Sequence, residues 1–202
     1  MLRPRQSKTL GKILVGRLEI SGYYRQLSLG LTELGVKHDY ITYWRNPYGF
    51  GGETRYPVLL RLSEKCLPLS RSRGRNPLRR LGHALIRELL ITLWALGAIM
   101  RYDAYIFGFG ETLLRGNFDL MLIKLLRKPV IVNLAHGSEG RPPYLDGSSL
   151  REGEETSEEA RRLAKQTTRT YRRVRRIERW ATYVIGAPYS NSQFASRPFI
   201  NH

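Results

Sequence analysis

Lys12-Ile13-Leu14-Val15-Gly16 reads as a short buried strand, and the residues that follow it decide the fold. Arg17 to Ile20 and the pair Ser21-Gly22 make a glycine-bearing loop. After Gly22 the apolar positions Tyr23, Leu27, Leu31 and Leu34 recur every three or four residues up to Gly35. That spacing predicts a helix with Ser21 as its N-cap and Gly35 as its C-terminal stop. His38 to Trp44 then reads as a second strand. Strand, glycine loop, helix, strand is the opening of a Rossmann-like sheet, whose ligands sit at the carboxyl ends of the strands.

The alternation continues along the chain. Val58 to Leu62 is expected as a third strand, and Ser63 to Asn76, with Pro68 and Gly74, as a loop. Asn76-Pro77 opens a helix to about Met100, because proline in a first turn sacrifices no hydrogen bond. From Leu89 that helix is apolar nearly all round, so its second half is expected to be buried. Asp103–Phe107 and Pro129–Leu134 read as strands, with a helix over Phe118–Arg127 between them. A helix from about Glu154 to Ala181 carries acids in its first turns and arginines in its last, which suits the helix dipole. Ala160, Leu163, Ala164, Tyr171, Val174, Ile177 and Ala181 trace its expected inward face, leaving most of its arginines in water. Tyr183 to Gly186 is a further strand. The expected fold is α/β, a Rossmann-like, mostly parallel sheet with helices on both faces. It forms one domain over residues 12–202, after a flexible basic N-terminus at residues 1–11.

Composition narrows the partners. The chain has 202 residues, with 34 Lys and Arg against 17 Asp and Glu, a formal charge of +17. Such an excess favours anionic partners: nucleic acid, acidic lipid headgroups or phosphorylated small molecules. One cysteine, Cys66, leaves no disulfide framework and fits a reducing compartment. The apolar run after the basic N-terminus is too short for a signal peptide. The longest apolar run, Leu89 to Met100, has 12 residues, short of the roughly 18 that a membrane span needs. A soluble, intracellular chain is therefore expected.

The richest chemistry lies at Lys128-Pro129-Val130-Ile131-Val132-Asn133-Leu134-Ala135-His136-Gly137-Ser138-Glu139, a strand ending in His-Gly-Ser-Glu. Gly108-Phe109-Gly110-Glu111 follows the preceding strand and would line the same crevice, where Glu111 can accept from sugar hydroxyls. The helix start at Ser21-Gly22 can offer free amides to a phosphate or a hydroxyl, or serve only to let the helix approach the sheet. Gly22, Glu111, His136, Ser138 and Glu139 are expected to cluster, because each follows the end of a neighbouring strand. Neither G-x-G-x-x-G nor G-x-x-x-x-G-K-[ST] is present, nor is a G-x-S-x-G elbow. The four histidines have no ligand-like spacing, so no cofactor and no metal is expected. Arg71, Arg73, Arg75, Arg79 and Arg80, interleaved with leucines further on, form a basic amphipathic segment suited to an anionic membrane or to plain solvation.

Taken together, Lys12–Gly35, Tyr102–Glu111, Val130–Arg141 and Ile177–Ile200 resemble the N-terminal, acceptor-binding half of GT-B glycosyltransferases, in the large retaining family that uses nucleotide-sugars. In that family a strand commonly ends in a His-Gly pair facing the cleft, which maps onto His136-Gly137. Ile177 to Ile185 is similar to the helix-then-strand before the interdomain hinge, with Ser190-Asn191-Ser192 and Phe199-Ile200-Asn201 following it. The resemblance implies His136 as the catalytic residue and Gly22, Tyr23, Glu111, Gly137, Ser138, Glu139 and Arg141 as substrate-binding. It implies a lipid-linked or polymeric sugar acceptor, and a nucleotide-sugar donor held by a second domain expected beyond His202. It also implies a cytoplasmic protein, or one peripheral on the inner face of a membrane. Two other classes compete with it: a basic nucleic-acid-binding module, favoured by charge but by no motif, and a nonenzymatic Rossmann-like protein.

Overall fold

The computed structural model describes residues 11–43, 56–71, 76–135, 137, 139–145, 157–187 and 192–201. The N-terminus expected to be flexible lies, but for Gly11, outside the described residues. Six strands form one sheet in the order β2-β1-β3-β4-β5-β6. They are β1 (Ile13–Arg17), β2 (His38–Thr42), β3 (Ala104–Gly108), β4 (Val130–Asn133), β5 (Tyr183–Gly186) and β6 (Ile200–Asn201). The pairs β1–β2, β4–β5 and β5–β6 are parallel. Helices α1 (Tyr23–Glu33), α2 (Val58–Arg71), α3 (Pro77–Arg101), α4 (Asp119–Leu125) and α5 (Ser157–Trp180) flank the strands, so the protein is α/β with a Rossmann-like parallel sheet. The chain divides into two compact units, Met1–Tyr105 and Ile106–His202.

In the first unit every residue of β1 is buried, as expected of a strand covered on both faces. The turn into α1 is built differently from expectation. Gly22, not Ser21, is the N-cap, with φ +83°, and no side chain caps the helix from that position. Glu19 reaches forward instead. Its carboxylate accepts from the amides of Ser21 (3.1 Å), Gly22 (2.8 Å) and Arg25 (3.0 Å) and from the Tyr40 hydroxyl (3.1 Å). A longer acidic side chain thereby satisfies the donors and complements the positive helix end. Gly35, at φ +67°, ends α1 as expected, and the amides of Gly35 and Val36 close back on Thr32 and Leu31.

Val58–Leu62 is not a strand, and Ser63 to Arg71 is not a loop: both belong to α2. Packing along α3 overrides the weak β-propensity of the first stretch and the breaker at Pro68. Leu60 and Ser63, three apart, face inward, and the Ser63 hydroxyl donates to the Leu60 carbonyl at 2.8 Å. In α3, Asn76 caps the first turn by accepting from the Leu78 amide at 2.9 Å, with Pro77 following as expected. Its second half is only partly buried. Ile91, Ala95, Ala98 and Ile99 face inward, whereas Leu89, Leu93, Leu96 and Met100 are exposed, because the apolar residues outnumber the positions of one face. Length and composition would let α3 cross a membrane, a test that core helices of soluble proteins also pass. Only 28% of its most apolar stretch is buried.

Asp39 of β2 accepts from the Tyr102 hydroxyl at 2.5 Å and pairs with Lys12 at 2.6 Å. Burial pulls the Asp39 carboxyl up, but the hydrogen bonds from Lys12 and Tyr102 outweigh it and hold the group below its usual range. Tyr102 is pushed well above the ordinary tyrosine range, by burial first and then by its bond to Asp39. A carboxyl whose folded pKa lies below its unfolded value of about 3.9 stabilises fully above that value, and loses this as pH falls through the folded one. Thermal unfolding followed between neutral pH and about pH 2 should therefore show a shallower acid loss in Asp39→Asn than in the parent. Parallel acid limbs would contradict this.

In the second unit, Asp119 opens α4 while buried, gathering the Thr112 hydroxyl (2.6 Å) and the amides of Leu113 (3.0 Å) and Leu114 (3.3 Å). Asn117, at φ +60°, donates to the Gly110 carbonyl at 3.0 Å. Together they fix the loop that follows β3. On α5 the inward face is Leu163, Thr170, Val174 and Ile177, followed just past its end by buried Ala181. Ala160, Ala164 and Tyr171, expected there, lie one step round the helix and are exposed, with Tyr171 set edge-on to Phe194. Glu178, buried near the end of α5, accepts from the Ser196 amide (2.7 Å) and hydroxyl (2.8 Å) and from the Arg197 amide (3.3 Å), just before β6.

Candidate functional site

The second unit places two glutamates after the carboxyl ends of adjacent strands, and one arginine reaches the carboxylate of the first and the backbone carbonyl of the second. Glu111 follows β3, Glu139 follows β4, and β3 and β4 are neighbours in the sheet. Arg173 of α5 donates to the Glu139 carbonyl at 2.8 Å and lies 3.8 Å from the Glu111 carboxylate. Glu139 is buried and Glu111 half-buried. Gly137 has φ +150°, a conformation that a side chain would strain, so glycine is what the turn after β4 requires. A Cβ at Gly137 would sit 3.8 Å from a carboxylate oxygen of Glu139, so turn and acid are close neighbours.

Glu111, Glu139 and Arg173 border a cavity of about 650 Å³. Its far wall is α5, which contributes Gln166, Arg169, Thr170, Arg172, Arg173 and Arg176. The four arginines sit at i, i+3, i+4 and i+7, which puts them on one face of the helix. Arg176 lies 4.3 Å from the Phe118 ring and donates to the Gly116 carbonyl. With Asn117 and Phe109, the described lining residues thus include four arginines and two glutamates. As expected, most α5 arginines, Arg169 and Arg172 among them, are exposed, while Arg173 and Arg176 are half-buried against the loops. The spacing that places them together was visible in the sequence, but a helical charge run is more often solvated, and nothing in one sequence shows which loop faces it.

Of the expected site residues, Glu111 and Glu139 line one cavity, Gly137 lies beside the Glu139 carboxylate, and Arg141 stands half-buried at the end of the same loop. His136 and Ser138 lie outside the described residues. Gly22 and Tyr23 belong to the first unit. There the expected free amides are already engaged, since those of Ser21 and Gly22 both donate to Glu19. The helix start that sequence reading offered to a phosphate is filled by the chain's own carboxylate. Arg79 and Arg80 sit in the first turn of α3 and Arg71 closes α2, while Arg73 and Arg75 lie outside the described residues.

Other cavities offer less. One of about 420 Å³ is lined by Arg175, Arg179, Trp180, Arg197 and Glu178, but Glu178 is committed to Ser196 and Arg197. One of about 360 Å³ in the first unit surrounds Asp39, Trp94 and Tyr102, where Asp39 is committed to Lys12 and Tyr102. Among the described residues, no group of three or more His, Cys, Asp or Glu is placed to hold a metal ion. No protein-family model, curated protein or solved structure matches the chain.

Proposed function

We propose that this chain is the acceptor-binding domain of a retaining, GT-B-type glycosyltransferase that works against an anionic membrane surface. The observation that carries the reading is the convergence of Glu111 and Glu139, from the ends of adjacent strands, on Arg173 beside a polar cavity. Carboxylates at that point can accept hydrogen bonds from the hydroxyls of a sugar acceptor, and guanidinium groups can hold its anionic part. In this reading His136, next to Gly137, positions the acceptor or stabilises charge, and the nucleotide-sugar is held by a second domain. The membrane part draws on α3, whose exposed Leu81, Leu85 and Leu89 follow Arg79 and Arg80 along the helix.

Two experiments test it. Given nucleotide-sugar donors, these 202 residues should transfer no sugar alone but should do so once a donor-binding domain is supplied. His136→Ala should then lower kcat by about tenfold to a hundredfold. Transfer by the chain alone, or an unchanged His136→Ala rate, would overturn the catalytic reading. For the membrane, the protein should sediment with phosphatidylglycerol vesicles and not with phosphatidylcholine vesicles. Arg79→Gln with Arg80→Gln should weaken that association about thirtyfold, at about 1 kcal/mol for each charge removed. Equal sedimentation with both vesicle types would remove the membrane from the proposal.

A further inference from the structure

We propose that the arginine-lined cavity of the second unit is a binding site for a small ligand bearing a phosphate group. The argument starts from helix electrostatics. Elsewhere on α5 arginines take carboxylate partners from the same helix: Arg162 pairs with Glu159 at 3.1 Å and Arg175 with Glu178 at 3.4 Å. Arg169 and Arg172 have no such neighbour. Three and four residues away from Arg169 lie Lys165, Gln166, Arg172 and Arg173, and from Arg172 lie Thr168, Arg169, Arg175 and Arg176. Like charges at this spacing repel and destabilise the helix. Neither arginine makes an ion pair with a described residue, and both line the cavity.

The walls contain the charge without neutralising it. Among the described lining residues, four guanidinium groups stand against the carboxylates of Glu111 and Glu139, a surplus of two positive charges. Arg173 is already anchored to the loops through Glu139 and Glu111, and Arg176 through Gly116 and the Phe118 ring. A fixed back wall, with two exposed guanidinium groups in front that have no ion-pair partner among the described residues, is a preorganised anion site. The planar fork of each guanidinium matches a tetrahedral phosphate, whose oxygens can take bonds from several forks at once, whereas one fork saturates a carboxylate. A dianion would also relieve the repulsion that α5 carries when the cavity is empty.

That the ligand is the sugar acceptor rests on the glycosyltransferase reading; that the cavity takes phosphate does not. Titration of inorganic pyrophosphate into the full chain by calorimetry should give saturable binding at one site. Arg169→Gln with Arg172→Gln should weaken it by about tenfold or more, since charge-assisted bonds are lost. Arg61→Gln with Lys65→Gln removes the same charge from exposed positions of α2 and should change it by less than about twofold. No saturable binding, or equal weakening by both pairs, would overturn the site. A second measurement needs no variant: pyrophosphate should protect Arg169 and Arg172, and not Arg61, from phenylglyoxal, read by mass spectrometry. Equal labelling with and without pyrophosphate would overturn the site even if the first pair failed to fold. Pyrophosphate protection in a protein that transfers no sugar when a donor domain is supplied would remove the glycosyltransferase reading and leave the phosphate site standing. Sugar transfer without protection would do the reverse.

Discussion

Glu19→Ala should destabilise the first unit by about 3 to 5 kcal/mol, a large share of what holds a domain of this size together. The side chain is 5% exposed and serves three backbone amides and the fully buried Tyr40 hydroxyl. Removing it strands those donors, and a buried donor without a partner costs more than the hydrogen bond was worth. It also removes the negative charge that complements the start of α1. Alanine offers no acceptor, and Ser21 cannot stand in, because the N-cap position belongs to Gly22 in a left-handed conformation. Glu19→Gln, which keeps one acceptor oxygen, should fall between the two. Urea unfolding measures all three proteins. A loss below about 1 kcal/mol for alanine would mean that water reaches these donors.

Asp119→Ala should cost about 2 to 4 kcal/mol at neutral pH, and its effect should reach the cavity. Asp119 is 2% exposed and holds Thr112, Leu113 and Leu114 in place directly after Glu111. Without it the loop loses its fixed geometry, and pyrophosphate binding should weaken along with stability. Burial raises the Asp119 carboxyl above its usual range against the hydrogen bonds from Thr112, Leu114 and Leu113, which lower it. The folded pKa therefore exceeds the unfolded value of about 3.9. The group's stabilisation is full below that value and falls as pH rises through the folded one. The difference between parent and Asp119→Ala should accordingly be greater near pH 4 than at pH 7, by urea unfolding at each pH. A difference independent of pH would contradict the buried, raised carboxyl.

Elements with a single strong period were legible in the sequence. The β1–α1–β2 opening, the Asn76-Pro77 start of α3, and β4 and β5 all follow from local pattern and cap chemistry, whereas the stretch that forms β6 stands out only through the family resemblance. The miss at α2 has a physical cause: Val58-Leu59-Leu60-Arg61-Leu62 is too short for its period to be read, and the partner that makes it helical, α3, comes later in the chain. Of the candidate site, Glu111 and Glu139 were legible because strand ends in an α/β sheet are where ligands sit. Arg169, Arg172, Arg173 and Arg176 were missed because sequence shows that they share a helix face and not what that face meets. Ser21 failed as a cap for a related reason. A carboxylate three residues before the N-cap can do a cap's work, and local propensity does not register that reach.

The clasp at Glu178 changes which residues near the end of the sheet are free to vary. β6 is two residues long and pairs with β5 only through Ile185↔Ile200 and Gly186↔Asn201. So short a ladder selects weakly for side chains, and half-exposed Ile200 should accept many replacements. Glu178 should not, since Ser196 and Arg197 both depend on its carboxylate. The address of the last strand is thus written on the helix before β5 rather than in the strand itself. A mutational scan would find tolerance where the strand is and constraint about twenty residues upstream of it, beside arginines that read as surface.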